Sequence, residues 1–255
     1  MKKQLSRHVD AVLAALAILD CFLEKPVLSL KQIIKITGLT RNRIMRLAGT
    51  LESMGYLNLD FSPVRITLGP KCLWLGKVFE SHLNLSFIAR PILQKLAHET
   101  GESASLYIRD GMERVVIARE ETTQAIRYSV KEGHRMPLHA GAAGKVFLSF
   151  IPQEEKRQIL ESNLQAFTAI TVTDKIKLAA ELAEIASKGY AVSLGEYIPD
   201  VGSIAAPVFG HQMILSGTIS VAGPLNRFRS ELIEEKKDKL VAAAKHLSYL
   251  LGCDG

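Results

Sequence analysis

Arg41, Asn42, Arg43 and Arg46 fall within one short window that holds no acidic residue. A guanidinium can fork onto a guanine edge or hold a phosphate, and a carboxamide can pair with adenine. To do either, these side chains must share one exposed face. Ile44, Leu47, Ala48 and Leu51 follow at spacings of three and four, which predicts a helix with that set buried and the polar set outward. Thr40 stands where its N-cap is expected. Upstream, Ser29 is the expected N-cap of a preceding helix whose apolar face is Leu30, Ile33, Ile34 and Ile36, and Gly38 supplies the tight turn between the two. Downstream, 56–59 and 64–68 read as strands joined by a turn at 60–63, with Arg65 near the tip. Helix, turn, helix and hairpin together make a winged helix-turn-helix, which places the first turns of its second helix in a major groove. Two-helix hairpins share part of this pattern. The caps, the glycine turn, the three arginines and the hairpin together point to double-stranded DNA.

A second stretch, Pro137-Leu-His-Ala-Gly-Ala-Ala-Gly-Lys-Val146, superficially looks like a phosphate loop. It lacks the glycine six positions before the lysine, where His139 stands, and the Ser or Thr after it, where Val146 stands. What remains is a small-residue turn running into a helix N-terminus at Ala142 and Ala143. Free N–H groups and the helix dipole there favour a small anion such as a carboxylate. Close helix-to-sheet packing asks for the same small residues, and spacing alone leaves the two readings level. Ser193, Glu196, Asp200, Ser203 and Ser220 lie on or between late strands and could complete a small cavity. No catalytic Ser/His/Asp arrangement is readable, and His139 is expected to be structural. Cys21, Cys72 and Cys253 lie far apart without Cys-x-x-Cys or Cys/His clustering, which suits a reducing cytoplasm and argues against disulfides and zinc. No cofactor or metal is expected, and Cys21 and Cys72 read as small buried residues.

The chain has 255 residues, 47% of them hydrophobic, and a net charge of +6. That is enough for one or two ordinary cores. The charge is uneven: residues 1–90 hold 13 Lys+Arg against 6 Asp+Glu, and the rest hold 19 against 20. A positive field confined to one end favours capture of a polyanion there. The apolar runs are too short and too often interrupted to span a bilayer, and the N-terminus lacks the apolar core of a signal peptide.

Three parts are expected: a DNA-binding domain over 1–69, a linker helix over 70–84 and a second domain over 85–255. An opening helix over 7–23, ended by Pro26, should pack under the helix-turn-helix pair. The linker carries Trp74 and Phe79, which either cover the first helix or meet a second copy; dimerisation is favoured. In the second domain the pattern predicts helices over 87–100 (with Pro91 near its start), within 140–150 after a glycine-rich entry, and over 154–161, 175–188 and 228–251, the last turning Leu232, Leu240, Ala243, Ala244, Leu247 and Leu250 inward. It predicts strands over 104–109, 113–119, 126–130, 190–194, 204–209 and 215–222, with a loop over 133–139. Helices at both ends of a run of antiparallel strands imply one helix-covered sheet, an α+β fold.

Several short stretches then resemble a known family: Thr37-Gly-Leu-Thr-Arg41, Arg46-Leu47 with Thr50-Leu51-Glu52, Gly55-Tyr56-Leu57, Leu68-Gly69, Pro137-Leu-His-Ala140 with Ala143-Gly-Lys145, Gly189-Tyr190, Ile204-Ala-Ala-Pro-Val-Phe209 and Ser220-Val-Ala-Gly-Pro224. From about Arg7 to Arg229 the chain resembles the IclR-type bacterial transcriptional regulators. That resemblance implies a winged helix-turn-helix, a linker helix and a GAF-like α/β effector-binding domain. With the helix-turn-helix reading above, the expected DNA contacts are Ser29, Thr40, Arg41, Asn42, Arg43, Arg46 and Arg65. The resemblance implies effector contacts at Ala142, Ala143, Ser193, Ser203, Ser220 and Ala222. Members that bind small oxo-acids carry an acidic residue where Ser193 stands, a cysteine where Ser203 stands, and serines where Ser220 and Ala222 stand. Many members carry Ser-Thr at Asn42-Arg43 and a leucine at Ala48. The resemblance further implies a cytoplasmic repressor or activator working as a homodimer, or as a dimer of dimers, whose operator affinity a small metabolite changes. The competing classes are a metabolite-binding protein or enzyme with an incidental winged helix, and a structural dimerisation module.

Overall fold

The structure, a computed structural model, describes residues 8–23, 25–61, 64–82 and 84–253. It divides into two compact units, Met1–Leu83 and Asn84–Gly255.

The first unit opens with helix α1 (Asp10–Asp20), followed by strand β1 (Val27–Ser29), α2 (Leu30–Thr37), α3 (Arg41–Ser53), β2 (Leu57–Phe61), β3 (Val64–Leu68) and α4 (Pro70–His82). α2 starts on a capping box: the Ser29 hydroxyl accepts from Gln32 N, and the Gln32 carboxamide oxygen accepts from Ser29 N at 2.8 Å. Gly38 ends it in the left-handed region at φ 68°, where a Cβ would be strained. Ile18, Leu28, Ile33, Ile44, Ala48, Leu57 and Ile66 close one core. The strands pair β1-β3-β2, all antiparallel. β1 is too short for its alternation to be legible, so the expected two-stranded wing is a three-stranded one. The expected turn residues Ser62 and Pro63, and Arg7 at the expected start of the opening helix, lie outside the described residues.

Four expectations for this unit change. α1 ends at Asp20, before Pro26 can act on it. Thr40 occupies the N-cap of α3 but makes no side-chain capping bond. Ile36 is 60% exposed, because α2 presents only Leu30 and Ile33 fully to the core. Cys72 is half-buried, donating its thiol toward Tyr56 O, whereas Cys21 is buried.

The second unit contains α5 (Leu85–Thr100), β4 (Ser103–Asp110), β5 (Glu113–Glu120), β6 (Arg135–Pro137), α6 (Ala142–Phe150), α7 (Gln153–Glu161), α8 (Lys175–Lys188), β7 (Ala191–Leu194), β8 (Val201–Phe209), β9 (Leu215–Pro224) and α9 (Ser230–Leu250). The antiparallel sheet runs β6-β5-β4-β9-β8-β7. Alternation along β8 and β9 puts Ser203, Ala205, Ser220 and Ala222 on one face and Ile204, Ala206, Ile219 and Val221 on the other. α5 and α9 pack together against β4, β8 and β9. The serine-bearing face meets α6, whose Val146 and Phe147 share a core with Leu178 and Leu182 of α8.

The register of β4 against β5 slips between Leu106 and Tyr107, leaving Ile117 of β5 as an extra residue. This bulge lets Val116 oppose Tyr107 while Ala118 opposes Leu106. The sequence reading differs here in four places. Residues 126–130 form no strand; the third strand of that edge is β6, inside the segment read as a loop. Helix α5 begins at Leu85 on an Asn84 cap, so Pro91 sits in its second turn and not at its start. Helix α7 begins at Gln153. Leu232 and Leu250 of α9 are exposed, since its inner seam is Lys236, Leu240, Ala244, Leu247 and Ser248.

Candidate functional site

Two places combine exposed or cavity-facing polar groups. The first is α3. Ile44 and Ala48 are fully buried and anchor it, which leaves Arg41, Asn42, Arg43 and Arg46 exposed with no acid in the first turn. Arg43 also turns back, its Nη2 donating to Asp10 O of α1 at 3.2 Å. Arg65 is exposed on β3, in register with Asp60 on one side and Ser29 on the other. The Ser29 side chain is engaged in its capping box.

The second place is a small cavity in the Asn84–Gly255 unit, about 40 Å³ in volume and open to solvent at its mouth. Ala142, Ala143, Ser193, Ser203, Ser220 and Ala222 all line it. Ser193, Ser203 and Ala222 are successive cross-strand partners in β7, β8 and β9, and Ser220 lies one pleat from Ala222. The N-terminus of α6 forms the facing wall. It starts at Gly141 without a side-chain cap, with Ala142, Ala143 and Gly144 buried.

Residues beyond the expected set also line it, among them Tyr107, Arg114, Tyr128, Met136 and Tyr197. Arg114 is 4% exposed. Its Nη1 donates to Ala140 O at 2.9 Å and to Pro137 O, its Nη2 approaches Met136 Sδ, and its Nε has no partner. The guanidinium lies 5.8 Å from both the Tyr107 and Tyr197 ring centres. It also lies against the start of α6. A Cβ on Gly144 would come within 2.5 Å of Arg114 Nη1 and 2.4 Å of Leu138 O, so only glycine fits there. Burial pushes the Arg114 guanidinium below its ordinary value, while the phenols of Tyr107, Tyr128 and Tyr197 pull the other way. Burial likewise pushes the Tyr128 phenol up to about 12, so at neutral pH it stays protonated. The Ser220 hydroxyl lies 3.4 Å from the Tyr107 hydroxyl.

Of the other singled-out residues, Glu196 is committed elsewhere. It and Glu181 hold Lys145 Nζ at 2.6 and 2.7 Å, and the lysine side chain is wholly buried. That arrangement gives Lys145 a structural task in place of a phosphate. Asp200 is exposed outside the cavity. His139 is buried, its Nε2 2.8 Å from Gln165 O and its ring beside Phe167, as a structural histidine would be. Among the described residues no cluster of His, Cys, Asp or Glu could hold a metal ion. No helix there is long and apolar enough to cross a membrane.

Residues 11–60 match the IclR helix-turn-helix domain, and residues 79–249 match the domain described as bacterial transcriptional regulator IclR C-terminal. The chain belongs to the IclR family. It is 34% identical to the HTH-type transcriptional regulator KipR of Bacillus subtilis (strain 168), over 94% of this chain and 96% of that protein. It is 32% identical to the HTH-type transcriptional regulator BhcR of Paracoccus denitrificans (strain Pd 1222), over 96% of this chain and 88% of that one. Among solved structures, a putative IclR transcriptional regulator from Silicibacter sp. TM1040 superposes with a TM-score of 0.89 at 25% identity, covering 96% of both chains. As an IclR-family member this protein is a DNA-binding regulator of transcription and not an enzyme. Its two parts are the family's helix-turn-helix head and its α/β C-terminal domain.

Within that IclR domain, the aromatic and cationic lining went unnoticed in the sequence. Arg114 alternates with the apolar Val116 along β5, and that charge beside an apolar position is the one local signal. Tyr107, Tyr128 and Tyr197 reach the cavity from three separate segments, and no local spacing links them.

Proposed function

We propose that this IclR-family protein binds an operator in the cytoplasm as a homodimer, and that a small organic acid held in the cavity of its C-terminal domain changes that binding. Two heads enter successive major-groove faces of an imperfect palindrome. Arg41, Asn42, Arg43 and Arg46 read bases or hold phosphates, Ser29 and Thr40 flank the backbone, and Arg65 reaches from the wing. The division into a DNA-binding domain over 1–69, a linker helix over 70–84 and an effector-binding domain over 85–255 is part of the same proposal. Dimerisation, and assembly into a dimer of dimers, draws support from two apolar surfaces. Val12, Leu13 and Leu16 of α1 are exposed, as are Leu73, Trp74 and Leu75 of α4, with Trp74 at 64%. A soluble chain rarely leaves such large apolar groups to water without a partner. The Phe79 side chain lies outside the described residues.

The observation that carries the effector reading is the meeting of Ala142, Ala143, Ser193, Ser203, Ser220 and Ala222 around one cavity at a helix N-terminus. An effector coupling of about 1–3 kcal/mol would change operator affinity roughly 5- to 150-fold. The test is a mobility shift of the protein on its own promoter region at low ionic strength, with and without a panel of small acids. Retarded DNA whose midpoint moves with one of the acids is the expected result. Indifference to that DNA under every condition would refute the operator reading, and a midpoint no acid moves would refute the effector reading.

A further inference from the structure

Among the described residues, Arg114 is the only charged one lining the cavity. Its carbonyl bonds steady the turn at 137–140 but leave its charge uncompensated, and the groups that bear on it electrostatically are phenols and not carboxylates. A buried cation without an acidic partner is costly, and the usual remedy is an anion at hydrogen-bonding distance. The second positive pole of the cavity is the α6 N-terminus, which lies directly beside the guanidinium and has no side-chain cap. Two positive poles packed together repel unless an anion lies between them. The unpartnered, buried Nε of Arg114 adds a donor with nothing to serve. The rest of the lining is neutral. Ser193, Ser203 and Ser220 offer hydroxyls, and the Tyr128 phenol stays a donor.

We propose that the effector is a compact monocarboxylate whose carboxylate pairs with Arg114 at the N-terminus of α6, and whose remaining oxygens meet the serine and tyrosine hydroxyls. This inference rests on the effector reading above and narrows it. Arg114 and the adjoining α6 N-terminus converge on one anion, so a dicarboxylate would bring its second charge against neutral lining with no second cationic side chain. An amide of the same shape would leave the guanidinium as costly as before. The cavity is about 40 Å³ in volume, so the occupant is small.

The experiment is calorimetric titration of the full-length protein with glycolate, lactate, 2-hydroxybutyrate, benzoate and 4-hydroxybenzoate, each beside its amide, and with malonate and succinate. At least one monocarboxylate is expected to bind at least about thirty-fold more tightly than its own amide and than both dicarboxylates. That comparison uses only the native protein. With Arg114→Met the preference for acid over amide should collapse, and with Arg114→Lys it should partly return. Ala143→Leu, which fills the cavity, separates the two readings. If the acid binds Ala143→Leu as well as it binds the native chain, the cavity itself is wrong. If binding is lost in Ala143→Leu but acid and amide bind the native protein equally, the cavity stands and the role of Arg114 is overturned. Tighter binding of malonate or succinate, or no monocarboxylate binding below about 10 mM, also overturns the proposal.

Discussion

Arg43 shows how one side chain can serve two interfaces. It stands in the first turn of α3, among the groups proposed to face DNA, yet its Nη2 also reaches Asp10 O of α1. A base-reading role requires the guanidinium to leave that carbonyl, an exposed bond of modest strength. Arg43→Ala should weaken operator binding by about 1–3 kcal/mol in a mobility-shift titration, with the loss varying among base substitutions at one operator position. An unchanged midpoint would mean that Arg43 only ties α3 to α1. Glu102 makes a separate prediction. It is buried with Arg227 at 2.9 Å and Lys236 at 3.8 Å, and burial raises its carboxyl above the ordinary range despite both cations. The folded state therefore binds more protons than the unfolded state just above the ordinary carboxylate range, so this group's contribution to stability falls as pH rises through that window. Melting curves taken between about pH 4 and 7 should show Glu102→Gln losing that downward component relative to the native chain. Identical slopes in the two proteins would rule it out.

Elements differed in how legible they were. α8 was readable at both ends, because Asp174 caps Lys177 N at 2.8 Å and Gly189 ends it at φ 75°. The Ser29 capping box and the Gly38 turn were equally plain, since both are local chemistry written in adjacent residues. β6 was hidden because three residues carry no usable alternation, and 126–130 misled because its apolar residues do not pair with a neighbouring strand. The six cavity residues came from a small-residue turn, strand serines and a family resemblance. Arg114 and the tyrosines depend on tertiary approach, which no window of sequence displays. Gly49 stands mid-helix in α3 with no atom within 4 Å of where a Cβ would be. Gly49→Ala should therefore stabilise the head by about 1 kcal/mol, seen as a higher urea midpoint; a loss of stability would mean the position is crowded. Lys145 predicts the opposite sign. Lys145→Met strands Glu196 and Glu181 without their buried cation, and chemical denaturation should show a loss of about 3–5 kcal/mol in the C-terminal unit.

At the level of the whole molecule, the charge bias and the exposed apolar faces of α1 and α4 fall in the same N-terminal part. Residues 1–90 carry the positive excess, and there α1 exposes Val12, Leu13 and Leu16 while α4 exposes Leu73, Trp74 and Leu75. Trp74→Glu should shift sedimentation equilibrium toward monomer and, because half-sites are read in pairs, weaken operator binding along with it. A variant that stays dimeric would move the interface elsewhere. The fold around the cavity also depends on something smaller. Counting along β5, Arg114 and Arg119 are an odd number of residues apart and ought to point to opposite sides of the sheet. Yet Arg119 meets Ser105 on the same side that Arg114 occupies. The unpaired Ile117 resets the odd-even count between them. Deleting that single residue would restore strict parity and force either arginine through the sheet, so a change of chain length at this point would rewire the pocket more thoroughly than any exchange of side chains within it.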